Sequence, residues 1–356
     1  SVLHLVRRID GTARDCAGIR GVAGKAGAVT DNIIHVVSLS TGKDSAATAI
    51  LALETQPRDR LRFISCDTGN EHENYLPYLQ YMERHLGIKI DVLRANFDRE
   101  IAAKAEYVRT VYPTKLPKEG FSAAETAEII ERCLEALVPT GNPFLDLCIW
   151  KGRFPSRRAQ FCTEHLKTIP ATEYQLKLID DGLCDAVWSW QGVRIDESES
   201  RRTRLACPAN LAFSKCFEAQ GGGMFTYRPV LRWTAEDCFE AHRVVGLEPN
   251  PLYLQGMTRV GCMPCINAGK DEILEISKRF PHHIDRIELW ESTAAMASKR
   301  REPSFFPDPY RDSHLDKRGI RKVVEWSKTK RGGQLMDWIR ITEEPKACQS
   351  AYGLCE

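Results

Sequence analysis

Ile33-Ile34-His35-Val36-Val37-Ser38-Leu39-Ser40-Thr41-Gly42-Lys43-Asp44-Ser45, running on into the Ala- and Leu-rich segment Ala46 to Leu53, is the stretch on which the fold turns. Its β-branched beginning reads as a short buried strand, and the segment that stops before Pro57 reads as a helix. The Ser-Thr-Gly-Lys-Asp-Ser turn between them sets backbone N–H groups, small hydroxyls and a lysine at a helix N-terminus, where anions are stabilised. Gly42 lets the backbone approach a ligand, Ser40 and Ser45 can donate hydroxyl hydrogen bonds, and Lys43 adds a point charge. The paired glycines of a Walker A loop are missing. The turn is therefore read as a polyphosphate site of another type, with an ordinary glycine-containing turn as the alternative.

Working outward, Leu61 to Cys66 repeats the strand signal. Tyr75, Tyr78, Leu79, Met82 and Leu86 then share one helical face that ends at Gly87, and Ile88 to Leu93 reads as a third strand. This alternation predicts an α/β fold: a Rossmann-like parallel sheet flanked by helices, with ligands beyond the carboxyl ends of the strands. The loops after Leu39 and Cys66 are the places to look. Ala102 to Leu137 is helical in composition, broken by Pro113 and Pro117, and reads as an insertion at about residues 100–140. Further strands are expected at Ala186 to Gly192 and Met224 to Leu231, and Thr234-Ala235-Glu236-Asp237 has the form of a capping box. Two helical segments divided at Pro281 fill Asp271 to Ser298. The expected organisation is a poorly ordered extension or expression remnant over 1–31, a nucleotide-binding domain over 32–233, and a helical, cysteine-bearing domain over 234–356.

Charged residues make up 28% of the chain and the formal net charge is +2, so no overall field argues for a nucleic-acid or membrane partner. No apolar run approaches the roughly 20 residues that span a bilayer, and no signal-peptide pattern opens the chain, which gives a cytoplasmic expectation. Thirteen cysteines in a reducing compartment point to metal or redox work where they cluster. Isolated ones such as Cys133, Cys184 and Cys238 are expected to fill apolar space.

Three further motifs give the turn its context. Cys66-Asp67-Thr68-Gly69 closes the second strand; Gly192-Val193-Arg194 leaves a later one and leads through Glu197-Ser198 to Arg201; and Cys162 stands five residues before Lys167. The segment from Trp233-Thr234 through Asn250-Pro251-Leu252-Tyr253 to Gly261-Cys262-Met263-Pro264-Cys265 completes the set. Together they resemble the PP-loop nucleotide α-hydrolases, and within them the phosphoadenosine phosphosulfate (PAPS) reductase family, close to its phage-type and DNA-phosphorothioation branch. Thr41 replaces the usual glycine of the loop.

The resemblance implies that Ser40, Thr41, Gly42, Lys43, Asp44 and Ser45 hold the terminal phosphates of ATP or another adenine nucleotide. It places Asp67, Thr68 and Gly69 beside the nucleotide or its Mg²⁺, and Gly192, Arg194 and Arg201 at the α-phosphate. Lys43, Asp44, Arg194 and Lys167 become the catalytic candidates. Cys262-x-x-Cys265 alone fits zinc, an iron-sulfur cluster or a redox dithiol. Cys348 and Cys355 supply a second pair, so Cys262, Cys265, Cys348 and Cys355 form a four-thiolate set for a [4Fe-4S] cluster, with Cys162 as the alternative ligand.

Three functions follow as expectations. The first is an ATP pyrophosphatase or adenylyl-transferring enzyme in sulfur transfer or nucleic-acid modification, whose partners would be a cysteine-desulfurase-like sulfur donor, a DNA or RNA substrate and a second copy in a homodimer. The second is a reductase of adenylylsulfate or its 3′-phosphorylated form. Against it, the tail Tyr352-Gly353-Leu354-Cys355-Glu356 lacks the Glu-Cys-Gly-Leu/Ile-His order of such reductases. The third is a non-catalytic nucleic-acid-binding subunit using the basic run Lys317, Arg318, Arg321, Lys322, Lys328, Lys330 and Arg331.

Overall fold

In the computed structural model, residues 32–197, 199–205, 213–217, 223–300, 303–307, 309 and 319–329 are described. The expected extension over 1–31, Cys348, Cys355, and Lys317, Arg318, Lys330 and Arg331 of the basic run lie outside them.

The opening stretch forms strand β1 (Ile33–Leu39) and helix α1 (Lys43–Thr55). A 3₁₀ turn, Arg58–Arg60, leads to β2 (Leu61–Asp67); α2 (Tyr75–Leu86) and β3 (Ile90–Arg94) complete the first half. Helix α2 ends at Gly87, whose φ of 62° is the left-handed conformation that a C-terminal glycine supplies at little cost. After the insertion come β4 (Ala186–Gln191), β5 (Phe213–Phe217) and β6 (Gly223–Tyr227). The sheet order is β3-β2-β1-β4-β6-β5. All neighbours pair in parallel except the edge strand β5, which runs antiparallel to β6. Strand β6 stops at Tyr227, short of the expected Leu231, because the chain turns at Pro229, where Trp233 N–H closes on the Val230 carbonyl.

Alternation along β1 divides the core. Ile34 and Val36 pack with Ile64, Val187 and Leu178 on one face, while Val37 and Leu39 pack with α1, α2, Trp190 and Trp233 on the other. Because the chain winds outward from β1 to β2 and β3, then returns to β4, the strand order reverses between β1 and β4. In open α/β sheets, ligands bind in the crevice beyond the strand ends at such a reversal.

The insertion contains α3 (Asp98–Lys118), α4 (Ala123–Ala136) and α5 (Pro143–Lys151). Pro113 and Pro117 do not break α3 as expected; the helix runs through both. Ile101, Ala105, Val108, Tyr112 and Leu116 form one buried stripe at helical spacing, while both prolines face solvent, where the carbonyls they leave unpaired can be hydrated.

A short helix α6 (Phe161–Thr163) continues through a π turn, Glu164–Thr168, into α7 (Ile169–Asp180). Helix α8 (Glu199–Leu205) follows β4, and α9 (Ala235–Val245) opens with Thr234 and Asp237 in the expected capping box. Beyond it lie α10 (Pro251–Leu254), α11 (Lys270–Arg279), α12 (Pro281–Ala297) and α13 (Ile320–Ser327). The insertion helices bury Leu147, Ile149 and Leu116 in the same core as Leu252, Met263, Ile276, Ile287 and Val323.

Candidate functional site

The turn 40–45 lies at the β1/β4 reversal. Ser45 Oγ closes it from within, taking a hydrogen bond from Ser40 N–H (3.0 Å) and lying 2.9 Å from the Gly42 carbonyl. Lys43, Asp44 and Ser45 are buried at the first turn of α1. Arg194, leaving β4, is 3% exposed and donates from Nε to Asp44 Oδ1 at 2.7 Å, while Lys43 Nζ stands 3.6 Å from Asp44 Oδ2. Two buried cations therefore share one buried carboxylate. Burial is the largest influence on Lys43 and lowers its pKa; it opposes the Arg194 charge too, but there Asp44 prevails and the guanidinium is held above its ordinary range.

Arg194 also donates from Nη1 to the Trp233 carbonyl at 3.2 Å, which leaves it gripped by protein on two sides. Gly192 is what brings this strand end so close: a Cβ there would lie 2.7 Å from Ser45 N and 2.8 Å from the Asp44 carbonyl. No comparable crowding surrounds Gly42, where a Cβ would meet Tyr253 Oη at 3.5 Å. Arg201, on α8, is paired with Glu197.

The Asn-Pro-Leu-Tyr segment forms the back of the turn. Tyr253 Oη accepts the Lys43 N–H at 3.1 Å, Asn250 Nδ2 donates to the Thr41 carbonyl at 3.3 Å, and His242 Nε2 donates to the Lys43 carbonyl at 3.1 Å. Burial lowers the His242 pKa to about 4, so the ring is neutral. Sequence reasoning assigned no role to His242, Asn250 or Tyr253; the Asn-Pro-Leu-Tyr motif was the available signal, but nothing in it pointed to the turn some 210 residues earlier.

At the end of β2, Asp67 Oδ1 accepts the Gly69 N–H at 2.9 Å and Oδ2 accepts from Arg94 at 3.1 Å. Gly69 takes a φ of +77° and packs against Asn142, which donates to its carbonyl. Thr68 bonds Glu71 through both its N–H and its hydroxyl, and its Oγ1 lies 3.6 Å from Cys262 Sγ. The loop bearing Cys262 is fixed to this turn: Met263 N–H donates to the Asn70 carbonyl at 2.7 Å, and Arg286 bridges the Asn70 side chain and the Met263 carbonyl.

Lys167 sits in the π turn, a feature that shifts helical register by a residue and recurs at functional sites. It keeps solvent contact while protein crowds it on the side of the cysteines. Its pKa is raised, first by Cys262 against the effect of burial, then by Glu71, Cys265 and Cys66. Burial drives the Cys262 and Cys66 thiols up to about 11, with Lys167 as the main opposing charge. Burial also raises the Cys162 thiol, with Cys265 adding to the rise and Lys167 opposing it. Cys66, Cys162, Cys262 and Cys265 thus share the electrostatic neighbourhood of Lys167. Cys66 was read only as part of a nucleotide-side turn; its place at a strand end beside the Asp-Thr-Gly turn was the clue to this company.

Within the basic run, Arg321 pairs with Asp285 and Glu288 and Lys328 with Glu325. No helix among the described residues is long and apolar enough to cross a membrane.

The chain is similar to several known proteins. An uncharacterized 37.8 kDa protein of Escherichia phage 186 is 41% identical over 346 residues, covering 92% of this chain and 98% of its own. Among solved structures, a PAPS reductase from Candida auris in a phosphate complex has a TM-score of 0.39 at 12% identity, covering 74% of this chain and 95% of its own. The U34-tRNA thiolase NcsA of Methanococcus maripaludis, solved with its [4Fe-4S] cluster, has a TM-score of 0.34 at 14% identity, covering 94% and 89%. The family described as the phosphoadenosine phosphosulfate reductase domain matches residues 34–268, from the second residue of β1 to just past the Cys-x-x-Cys pair, and the chain belongs to that family.

Proposed function

We propose that this protein is an ATP pyrophosphatase of the adenine nucleotide α-hydrolase kind, which cleaves ATP to AMP and pyrophosphate and transfers the adenylyl group in sulfur transfer or nucleic-acid modification. Family membership supports a nucleotide-using enzyme. The observation that carries the finer reading is the buried pair Lys43 and Arg194 sharing the single buried carboxylate of Asp44 at a helix N-terminus. Asp196, half exposed and 3.4 Å from Arg194, offsets part of that positive charge, and a polyphosphate would offset the rest.

In this reading the turn 40–45 grips the terminal phosphates through its N–H groups and Lys43. Arg194 acts by holding Asp44 and the turn in place, and its charge favours the development of negative charge at the α-phosphorus. Thr68, Gly69 and Gly192 line the approach of the nucleotide, Asp67 faces the Mg²⁺ that accompanies it, and Arg201 closes the far side. Mg²⁺ would neutralise the departing pyrophosphate. Lys167 stands where an acceptor or sulfur donor reaches the α-phosphorus. Preorganised charge and positioning supply most of the rate.

The thiol group beside Lys167 fits a [4Fe-4S] cluster in its donor chemistry. Cys262 and Cys265 would hold it, completed by Cys348 and Cys355 or by Cys162. Bound there, a cluster would supply redox chemistry and Lewis-acidic iron. A sulfur-donor protein, a DNA or RNA substrate and a second copy of the chain are the partners this reading calls for.

The test is incubation with ATP and Mg²⁺, and separately with adenylylsulfate plus a dithiol reductant, with identification of the products. AMP and pyrophosphate are expected from the first and no sulfite from the second. Sulfite release without pyrophosphate would replace this reading with sulfonucleotide reduction, and salt-sensitive DNA retention without either product would leave a binding subunit.

A further inference from the structure

Beside the loop where Glu71 meets Cys262, three imidazoles converge on one carboxylate. Glu73, in the loop between β2 and α2, has its Oε2 3.1 Å from His283 Nε2 and 3.4 Å from His72 Nε2, while its Oε1 lies 3.1 Å from His282 Nε2. One ligand atom each from His72, Glu73 and His283 lie within 4.8 Å of one another. His72 and His283 stack with centroids 5.4 Å apart, which aligns their nitrogens. His283 is 0% exposed, and its Nδ1 has no hydrogen-bond partner, so the ring's one polar outlet is the Nε2 aimed at Glu73. Glu73 and His282 are each 58% exposed, which leaves the cluster open to solvent from one side.

We propose that His72, Glu73 and His283 form a binding site for a zinc-like divalent transition metal, with His282 as the fourth ligand. Two or three imidazoles with one carboxylate suit a borderline ion such as Zn²⁺, whereas Mg²⁺ and Ca²⁺ prefer an all-oxygen shell. The spacing also fits. A tetrahedron with Zn–N and Zn–O bonds of about 2.0–2.1 Å has edges of about 3.3–3.4 Å, and the two separations that share Glu73 Oε2, 3.1 Å to His283 and 3.4 Å to His72, sit close to that edge.

In the metal-free molecule His282 and His283 donate from Nε2 to Glu73, while His72 Nε2 lies 3.4 Å from it. His72 Nδ1 meanwhile accepts the Asn74 N–H at 3.0 Å. Loading the ion moves the His72 proton to Nδ1 and frees the Asn74 amide, at the solvent-side start of α2, to bond water. The His282 and His283 protons likewise move to Nδ1, so the hydrogen bonds to Glu73 and the one from Asn74 are given up for the bonds to the ion. The ion would fasten the loop that follows the Asp67-Thr68-Gly69 turn to the first turn of α12, joining residues 210 positions apart. The same two segments are already bridged by Arg286 to Asn70, one helical turn away.

The test uses Co²⁺ alone as a spectroscopic stand-in, added to the metal-stripped full chain carrying Cys262→Ser and Cys265→Ser so that the Cys-x-x-Cys pair cannot bind it. One equivalent is expected to bind with the visible bands of nitrogen and oxygen ligation and no sulfur-to-cobalt charge-transfer band. Glu73→Gln, at an exposed position that should not perturb folding, and His72→Asn should each weaken binding by at least about tenfold to a hundredfold, the loss typical of even the outer partners of a metal site. Zn²⁺ should displace Co²⁺ and Mg²⁺ should not. Absence of a stoichiometric spectrum, or a spectrum unmoved by both substitutions in protein shown to be folded by circular dichroism, would overturn the proposal.

Discussion

Asp44 is the residue on which the phosphate turn depends, because it is the buried carboxylate that pairs with both Lys43 and Arg194, whereas the half-exposed Asp196 meets Arg194 alone. Its closeness to Arg194 rests in turn on Gly192, since a side chain there would strike the backbone of Asp44 and Ser45, which cannot swing aside as a flexible side chain could. Gly192→Ala should therefore cost about 1–3 kcal/mol of stability, the usual range for forced overpacking, and should weaken ATP binding disproportionately by opening the Arg194–Asp44 contact. Urea denaturation alongside equilibrium nucleotide binding checks this; a variant with both properties unchanged would show that the strand end does not set the turn. The hexapeptide 40–45, Gly192 and Arg194 were legible as neighbours in function from their residue types. What could not be read was that Arg194 faces inward, to Asp44 and the Trp233 carbonyl. A side chain's choice between protein and ligand is set by distances that spacing in sequence does not carry.

At the scale of elements, helix α3 shows tertiary packing overriding local propensity. Two prolines inside a helix each cost up to about 3 kcal/mol, yet the stripe Ile101, Ala105, Val108, Tyr112 and Leu116 keeps the segment helical to Lys118. Pro113→Ala is expected to raise stability by roughly 1–2 kcal/mol, the helical gain less the greater freedom given to the unfolded chain, with no change in nucleotide binding. A lower urea midpoint would mean that the helix needs the proline's bend. Strands β1, β2 and β4 and the caps at Gly87 and Thr234 were legible because strong periodicity and a specific terminating residue coincide there. Strand β5 was not, since the short run Phe213-Ser214-Lys215-Cys216-Phe217 shows no sustained apolar alternation.

At the scale of the whole molecule, acid sensitivity follows from imidazoles sealed in as neutral groups. Burial lowers His35, which accepts from Trp190 Nε1 at 3.0 Å, and His242 to about 4 from an ordinary 6.5. Between those values the unfolded chain binds protons that the folded one refuses, so stability is fully present above pH 6.5 and is lost as pH falls towards 4. The urea midpoint should drop steadily across that window, and His35→Gln, which keeps an acceptor for Trp190, should flatten the drop. An unchanged slope would place the acid-labile groups elsewhere. The parallel sheet was legible across its whole width, but the alliance of the insertion with the C-terminal helices was not, because contacts between distant segments leave no periodicity in either. That alliance has a consequence during synthesis. Leu116, Leu147 and Ile149 emerge from the ribosome well before Ile287 and Val323, which cover the same core. At about 5–20 residues per second, the insertion spends on the order of ten seconds or more with its apolar side uncovered, and in that interval it is a natural client for a chaperone.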